Sequence, residues 1–222
     1  MQPFHVLLAE SAAAHGHLCP GQVVGVRMAL LGCRLIGLDD PRRPEQVKKL
    51  IVYVEMDRCT ADAVAHVTGV RLGRRSLKFA DYGIMAATFL RLDTGAAFRV
   101  ISTEAARDLC QLYAPGLTEK AERQIAAYKR MPDSVLFQVQ QVRILLDALD
   151  LPGPTRSKVA CVRCGQMVRD GKQIRSPEGP LCKPCGQGAY FHDPRPVAWE
   201  NMNWRPEEES EEERSKRKPP PC

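Results

Sequence analysis

Two imidazoles and a thiol fall within five residues in His15-Gly16-His17-Leu18-Cys19. Nitrogen and thiolate donors so close together suit zinc, nickel, iron or copper. Pro20 is placed to open a helix, whose unpaired N–H groups favour an anionic sulfur at Cys19. A second cysteine, Cys59, follows the β-branched stretch Leu50-Ile51-Val52-Tyr53-Val54-Glu55-Met56. It precedes Thr60, which can cap a helix over about 61–68. Spacing alone leaves two readings of His15, His17, Cys19 and Cys59: a functional site, or a satisfied histidine cluster beside inert buried thiols.

The other chemistry-bearing pattern is Cys161-Val162-Arg163-Cys164 and Cys182-Lys183-Pro184-Cys185, two C-x-x-C pairs 17 residues apart. That separation matches structural zinc sites better than an iron–sulfur cluster, a rubredoxin-like iron or two disulfides. Gly165 permits the tight turn that lets two sulfurs reach one tetrahedral ion, and four thiolates close the shell against substrate. So short a segment buries too little apolar surface to fold without its metal. A short helix over Gly186 to Phe191 would make it a treble-clef-like finger. His192 is a spare donor that four cysteines make unnecessary.

The rest of the chain has to position these groups. Helices are expected over 4–14 and from Pro20 to about Gly37, and a strand over 50–56. A short strand at 77–79 and a hairpin of 86–92 with 97–101 follow. Helices to Tyr113 and over 117–131 and a last strand over 135–142 complete a core over residues 1–150. The class is α+β, an antiparallel sheet packed against helices rather than a doubly wound one. Residues 151–158 have linker composition, 159–204 form the four-cysteine module, and the charged, proline-ended 205–222 is expected to be disordered.

Nine cysteines in paired spacings, without an export signal, point to metal-binding thiols in a reducing compartment, hence a cytoplasmic protein. No apolar run approaches the roughly 20 residues that span a bilayer. The net charge of +6 counts cysteines as neutral; four thiolates around a divalent ion would remove two of those charges. Basic residues are scattered, which argues against a dedicated nucleic-acid binder. Arg71, Arg74, Arg75 and Lys78 form a basic loop, read as solvated surface in preference to an oxyanion site. Cys33 and Cys110 are expected in the core, and His5 and His66 as ordinary helix residues.

Three motifs in order carry a resemblance: His15-Gly-His17-Leu-Cys19-Pro-Gly21-Gln-Val-Val-Gly25, then Glu55-Met-Asp57-Arg58-Cys59-Thr60-Ala61-Asp62, then Asp81-Tyr82-Gly83 with Ala86-Ala87-Thr88-Phe89. Together they resemble the FmdE family, named for the E component of formylmethanofuran dehydrogenase, across nearly all of residues 1–145. Some members carry a treble-clef zinc finger like the one expected here. The resemblance implies a core that forms a homodimer, a cleft gathering the histidines and cysteines, and association with molybdenum or tungsten oxidoreductase subunits. Cys19 and Cys59 would then supply thiolates, His17 and His15 imidazoles, and Asp62 or Glu55 an acceptor fixing a histidine tautomer. An incomplete shell would leave a position open. The implied cofactors are a structural zinc and a second transition metal of unspecified identity in the core.

Val70 and Ile84 stand where family members often have Cys and Lys, so no role rests on either. The expected function is a metal-binding accessory factor or subunit of such an oxidoreductase system. Two other readings stay open: a stand-alone metal- or thiol-dependent enzyme using Cys19, with His17 and Cys59 at the catalytic centre, and a zinc-finger regulatory or nucleic-acid-binding protein.

Overall fold

The structure, a computed structural model, describes residues 1–197. The expectations for the tail 205–222 and the end of the finger module lie outside the described residues. The chain divides into two compact units, Met1–Lys158 with Arg169–Gly171, and Val159–Val168 with the residues from Lys172 on.

The first unit opens with α1 (Phe4–His15), α2 (Pro20–Leu35), α3 (Pro44–Val47), β1 (Leu50–Val54) and α4 (Cys59–Thr68). Strands β2 (Leu77–Phe79), β3 (Ala86–Arg91) and β4 (Ala97–Ser102) follow, then α5 (Ala105–Asp108), α6 (Cys110–Tyr113), α7 (Lys120–Arg130), α8 (Asp133–Leu136) and β5 (Phe137–Gln141). The sheet order is β2-β1-β3-β4-β5. Val54 pairs with Ala87, Ala87 with Val100 and Val100 with Val139, all antiparallel. The fold is therefore α+β. Its β2 edge departs from the antiparallel pattern: Val52 pairs with Leu77 in parallel, because α4 carries the chain over before it re-enters the sheet.

Helix α2 is the spine of this unit. Val23, Val26, Met28, Ala29 and Cys33 are all fully buried on it. Glycines let it lie closer to its neighbours than any side chain would allow. A Cβ at Gly32 would sit 2.2 Å from the Phe89 ring, and one at Gly25 would sit 2.6 Å from the Ala63 Cβ. Helix α2 is thus pressed at one end onto the sheet and at the other onto α4.

Several local expectations are corrected. Arg58, not Thr60, takes the capping position of α4; the Thr60 hydroxyl instead donates to the Gly21 carbonyl at 3.2 Å. The helix ending at Tyr113 breaks at Leu109 into two short ones. Helix α7 starts at Lys120 because the Glu119 carboxylate accepts from the Glu122 N–H at 2.9 Å. The last strand begins at Phe137, since residues 133–136 make a helical turn.

Glu55 follows β1 by one residue, and alternation along the strand turns it to the face opposite α2 and α4. There it is buried and accepts from Arg99 Nε at 2.7 Å and Nη2 at 2.6 Å, while Arg99 Nη1 donates to Gln140. Glu55 is therefore a sheet ion pair and not the acceptor for a core histidine.

The second unit consists of the pairs β6 (Lys158–Ala160) with β7 (Met167–Arg169) and β8 (Ile174–Ser176) with β9 (Gly179–Leu181), then α9 (Lys183–Gln187). The helix starts inside the second C-x-x-C rather than at Gly186. Its apolar core is only Leu181 with Val168 and Ile174 around Cys161 and Cys182. Among the described residues no helix is long and apolar enough to cross a membrane.

Candidate metal centres

In the second unit the sulfurs of Cys161, Cys164, Cys182 and Cys185 lie within 4.8 Å of one another. Cys164 and Cys182 are 3.7 Å apart, and a tetrahedral ion with Zn–S bonds of ~2.3 Å has an S–S edge of about 3.8 Å. The first knuckle closes through Gly165, at φ +74°, whose N–H donates to the Cys161 carbonyl at 2.8 Å. The N–H groups of Cys182, Cys164 and Arg163 hold the Cys161 thiol down to about 6. Crowding by Cys182, Cys164 and Cys161 pushes Cys185 up to about 12. Four sulfurs at this separation cannot all ionise without a cation among them. Geometry and donor chemistry together fit a closed four-thiolate metal site such as zinc.

The core cluster is assembled from the ends of three helices. His15 is the last residue of α1, Cys19 is the N-cap of α2, and Cys59 is the first residue of α4. Gly16 takes φ +98°, which ends α1 and folds the chain back so that His17 returns toward His15. The two rings have centroids 4.9 Å apart, and one ligand atom each of His15, His17 and Cys19 lies within 4.8 Å of the others. His17 is exposed, whereas His15 and Cys19 are half-buried. Cys59 lies beside Cys19 but outside that tighter group. Burial pushes the Cys59 thiol up, and the neighbouring Cys19 thiol adds to the effect.

His15 Nδ1 faces Asp62 Oδ2 at 3.0 Å. With a carboxylate as acceptor Nδ1 carries the proton, which leaves Nε2 as a lone pair. That Nε2 is buried and has no hydrogen-bond partner. An orphaned buried acceptor beside another imidazole and a thiol is what a metal ion would satisfy. Asp62 rather than Glu55 thus orients the histidine. It sits three residues after Cys59, on the same side of α4.

Gln22 carries no motif that pattern reading would single out. It is buried on α2, accepts from the Ser11 hydroxyl at 2.5 Å and donates to the Cys59 carbonyl at 2.8 Å. This relay joins α1, α2 and α4 beneath the thiols. The only sequence signal for it is a polar residue at the start of an otherwise apolar helix.

The remaining thiols and imidazoles serve other ends. Cys33 and Cys110 are buried, and burial pushes Cys33 up to about 12. His66 lies 3.7 Å from Glu10. Val70 is in the core and Ile84 is exposed. The basic loop does not act as one patch: Arg75 and Lys78 both reach Asp150, while Arg74 lines a hollow with Arg42 and Lys48.

Residues 14–138 match a family model described as FmdE, molybdenum formylmethanofuran dehydrogenase operon. A probable S-adenosyl-L-methionine-binding protein from Archaeoglobus fulgidus is 23% identical over 205 residues, a match covering 83% of this chain and 53% of that protein. The chain therefore spans about half the length of that curated relative. A solved structure of an FmdE-like protein of the tungsten formylmethanofuran dehydrogenase type, from Syntrophus aciditrophicus, has a TM-score of 0.54 and 20% identity. That match covers 85% of this chain and 94% of the other, and at this identity what the two share is the fold.

Proposed function

The chain belongs to the FmdE family, and on that premise we propose that it is a cytoplasmic metal-binding accessory protein of a molybdenum or tungsten oxidoreductase system of the formylmethanofuran dehydrogenase type. The observation that carries this reading is the buried, unpartnered Nε2 of His15, with Nδ1 committed to Asp62 and His17 and Cys19 alongside. His15, His17 and Cys19 would hold a transition metal, and Cys59 stands ready as a further thiolate. A metal bound there would supply Lewis acidity and, with an incomplete protein shell, an exchangeable position. The four cysteines of the second unit would hold a structural zinc.

Element analysis of reduced protein beside a Cys19→Ser variant tests this. About two metals per chain are expected in the wild type and one in the variant, with the fold of both units unchanged. Only finger metal in fully reduced wild type would sink the core site.

A stand-alone enzyme is the second reading, favoured by the two thiols at helix N-termini, where the dipole stabilises a thiolate nucleophile. We also propose that the protein works as a homodimer. Phe79, Tyr82 and Ile84 lie close in sequence and are 48%, 69% and 40% exposed, a concentration of apolar surface typical of interfaces. Light scattering should give twice the chain mass, and Tyr82→Asp with Ile84→Asp should halve it. A wild-type monomer at all concentrations refutes the dimer.

A further inference from the structure

The first turn of α2 has a second exposed side. Pro20 and Gly21, directly after Cys19, form one wall of a cavity of about 260 Å³ whose other walls include Thr103, Arg107, Lys120 and Tyr128. A neighbouring hollow of about 380 Å³ shares Arg107 and Lys120 and adds Arg123. The acid of the first cavity, Glu104, is engaged with Arg107 at 3.4 Å in an exposed pair. Lys120 has no ion pair among the described residues. Asp108 is the acid of the second hollow.

Three sources of positive potential converge on this space: the Lys120 ammonium, the Arg107 guanidinium, and the N-terminal N–H groups of a 16-residue helix. Tyr128 at the floor is buried, and burial pushes its hydroxyl up to about 12, so it stays a donor through the physiological range. Donors thus outnumber acceptors in a cavity with an apolar floor at Val24 and Met85. A volume of about 260 Å³ lies just below the usual range for ligand sites, which begins at roughly 300 Å³. It suits a short organic acid and not a nucleotide.

We propose that this cavity binds a small carboxylic acid, its carboxylate held by Arg107 and Lys120 and its other end lying along the α2 first turn toward Cys19. The role as a subsite of the thiol–imidazole centre rests on the proposed core metal site; the binding does not. Arg107 offers a planar fork to the carboxylate, Lys120 a point charge, and Thr103 and Tyr128 supply hydroxyls for the remainder of the ligand.

The test is calorimetric titration of the full-length, metal-loaded protein with succinate, with succinamide as its neutral counterpart and inorganic phosphate as a second anion. Succinate is expected to bind at millimolar concentration or tighter, succinamide not to bind, and phosphate to bind more weakly than succinate. Arg107→Ala and Lys120→Ala, both exposed side chains whose loss leaves the melting temperature unchanged, should each weaken succinate about tenfold or more. No heat with succinate up to about 10 mM, equal binding of succinamide, phosphate binding at least as tight as succinate, or binding indifferent to both substitutions overturns the proposal. The Cys19→Ser variant separates the two readings. One metal per chain with succinate binding intact in the wild type removes the metal centre and keeps the cavity; two metals with no succinate binding does the reverse.

Discussion

A Cys161→Ser chain is expected to lose one metal ion and the folded structure of residues 159–187 together. Cys161 and Cys182 are 2% and 6% exposed and with Leu181 make up the whole buried core of the second unit. A buried leucine contributes about 1.5–3 kcal/mol, far too little to hold two hairpins and a helix in place. Zinc ligation in comparable fingers is worth about 10–16 kcal/mol at neutral pH, so it dominates every other term. Serine at position 161 removes one donor from the tetrahedron and breaks the network of N–H groups that holds that sulfur as a thiolate. Hydrogen exchange should show protection of the second unit lost while the α2 amides stay protected, and element analysis should show the metal gone. A Cys161→Ser protein with full metal content and a protected second unit would overturn the structural role of the four cysteines. Chelator at equilibrium should reproduce the same pattern in the wild type.

What the chain shows before folding differs between the two centres, for a physical reason. The four-cysteine site is two local turns, and a C-x-x-C pair carries its own geometry, so spacing alone identifies it. At the core cluster, His15, His17 and Cys19 are also local and legible as donors. The approach of Cys59 to Cys19 is not, because it depends on how α2 packs on α4 over a separation of 40 residues. The choice between Glu55 and Asp62 is open by sequence proximity, since both flank Cys59. It follows from two periodicities: strand alternation sends Glu55 to Arg99 on the far face, and the helical repeat leaves Asp62 on the side of His15. The parallel β2 edge is hidden for a related reason. A three-residue strand has no alternation to read, and its direction is set by the α4 crossover. Gln22 shows the same limit, since its partners Ser11 and Cys59 belong to different helices.

The packing that brings the thiols together can be broken at one atom, and Gly25→Val is expected to do so. A Cβ at position 25 would lie 2.6 Å from the Ala63 Cβ, 2.7 Å from the Thr60 carbonyl oxygen and 3.0 Å from the Thr60 Cα. Two of those three atoms are backbone of α4, so no rotamer change relieves the overlap and the helices must separate. Overpacking of this kind costs about 3 kcal/mol, the upper part of the usual range, which lowers the melting temperature of a chain this size by roughly 6–12 °C. The consequence reaches the site. Gly21, one turn earlier, would place a Cβ 2.9 Å from the Cys59 Cβ, so the same helix contact sets the distance between the two thiols. Separating the helices also pulls on the Gln22 bond to the Cys59 carbonyl and the Thr60 bond to the Gly21 carbonyl. Gly25→Val should therefore release the core metal while keeping that of the four cysteines, which marks a geometric loss and not general unfolding. Gly73→Ala, where a Cβ meets nothing within 4 Å, is the control and should leave stability and both metals unchanged. Thermal melts read beside metal content decide the matter: a Gly25→Val protein that melts like wild type would mean that the close approach of α2 and α4 does not hold the site together.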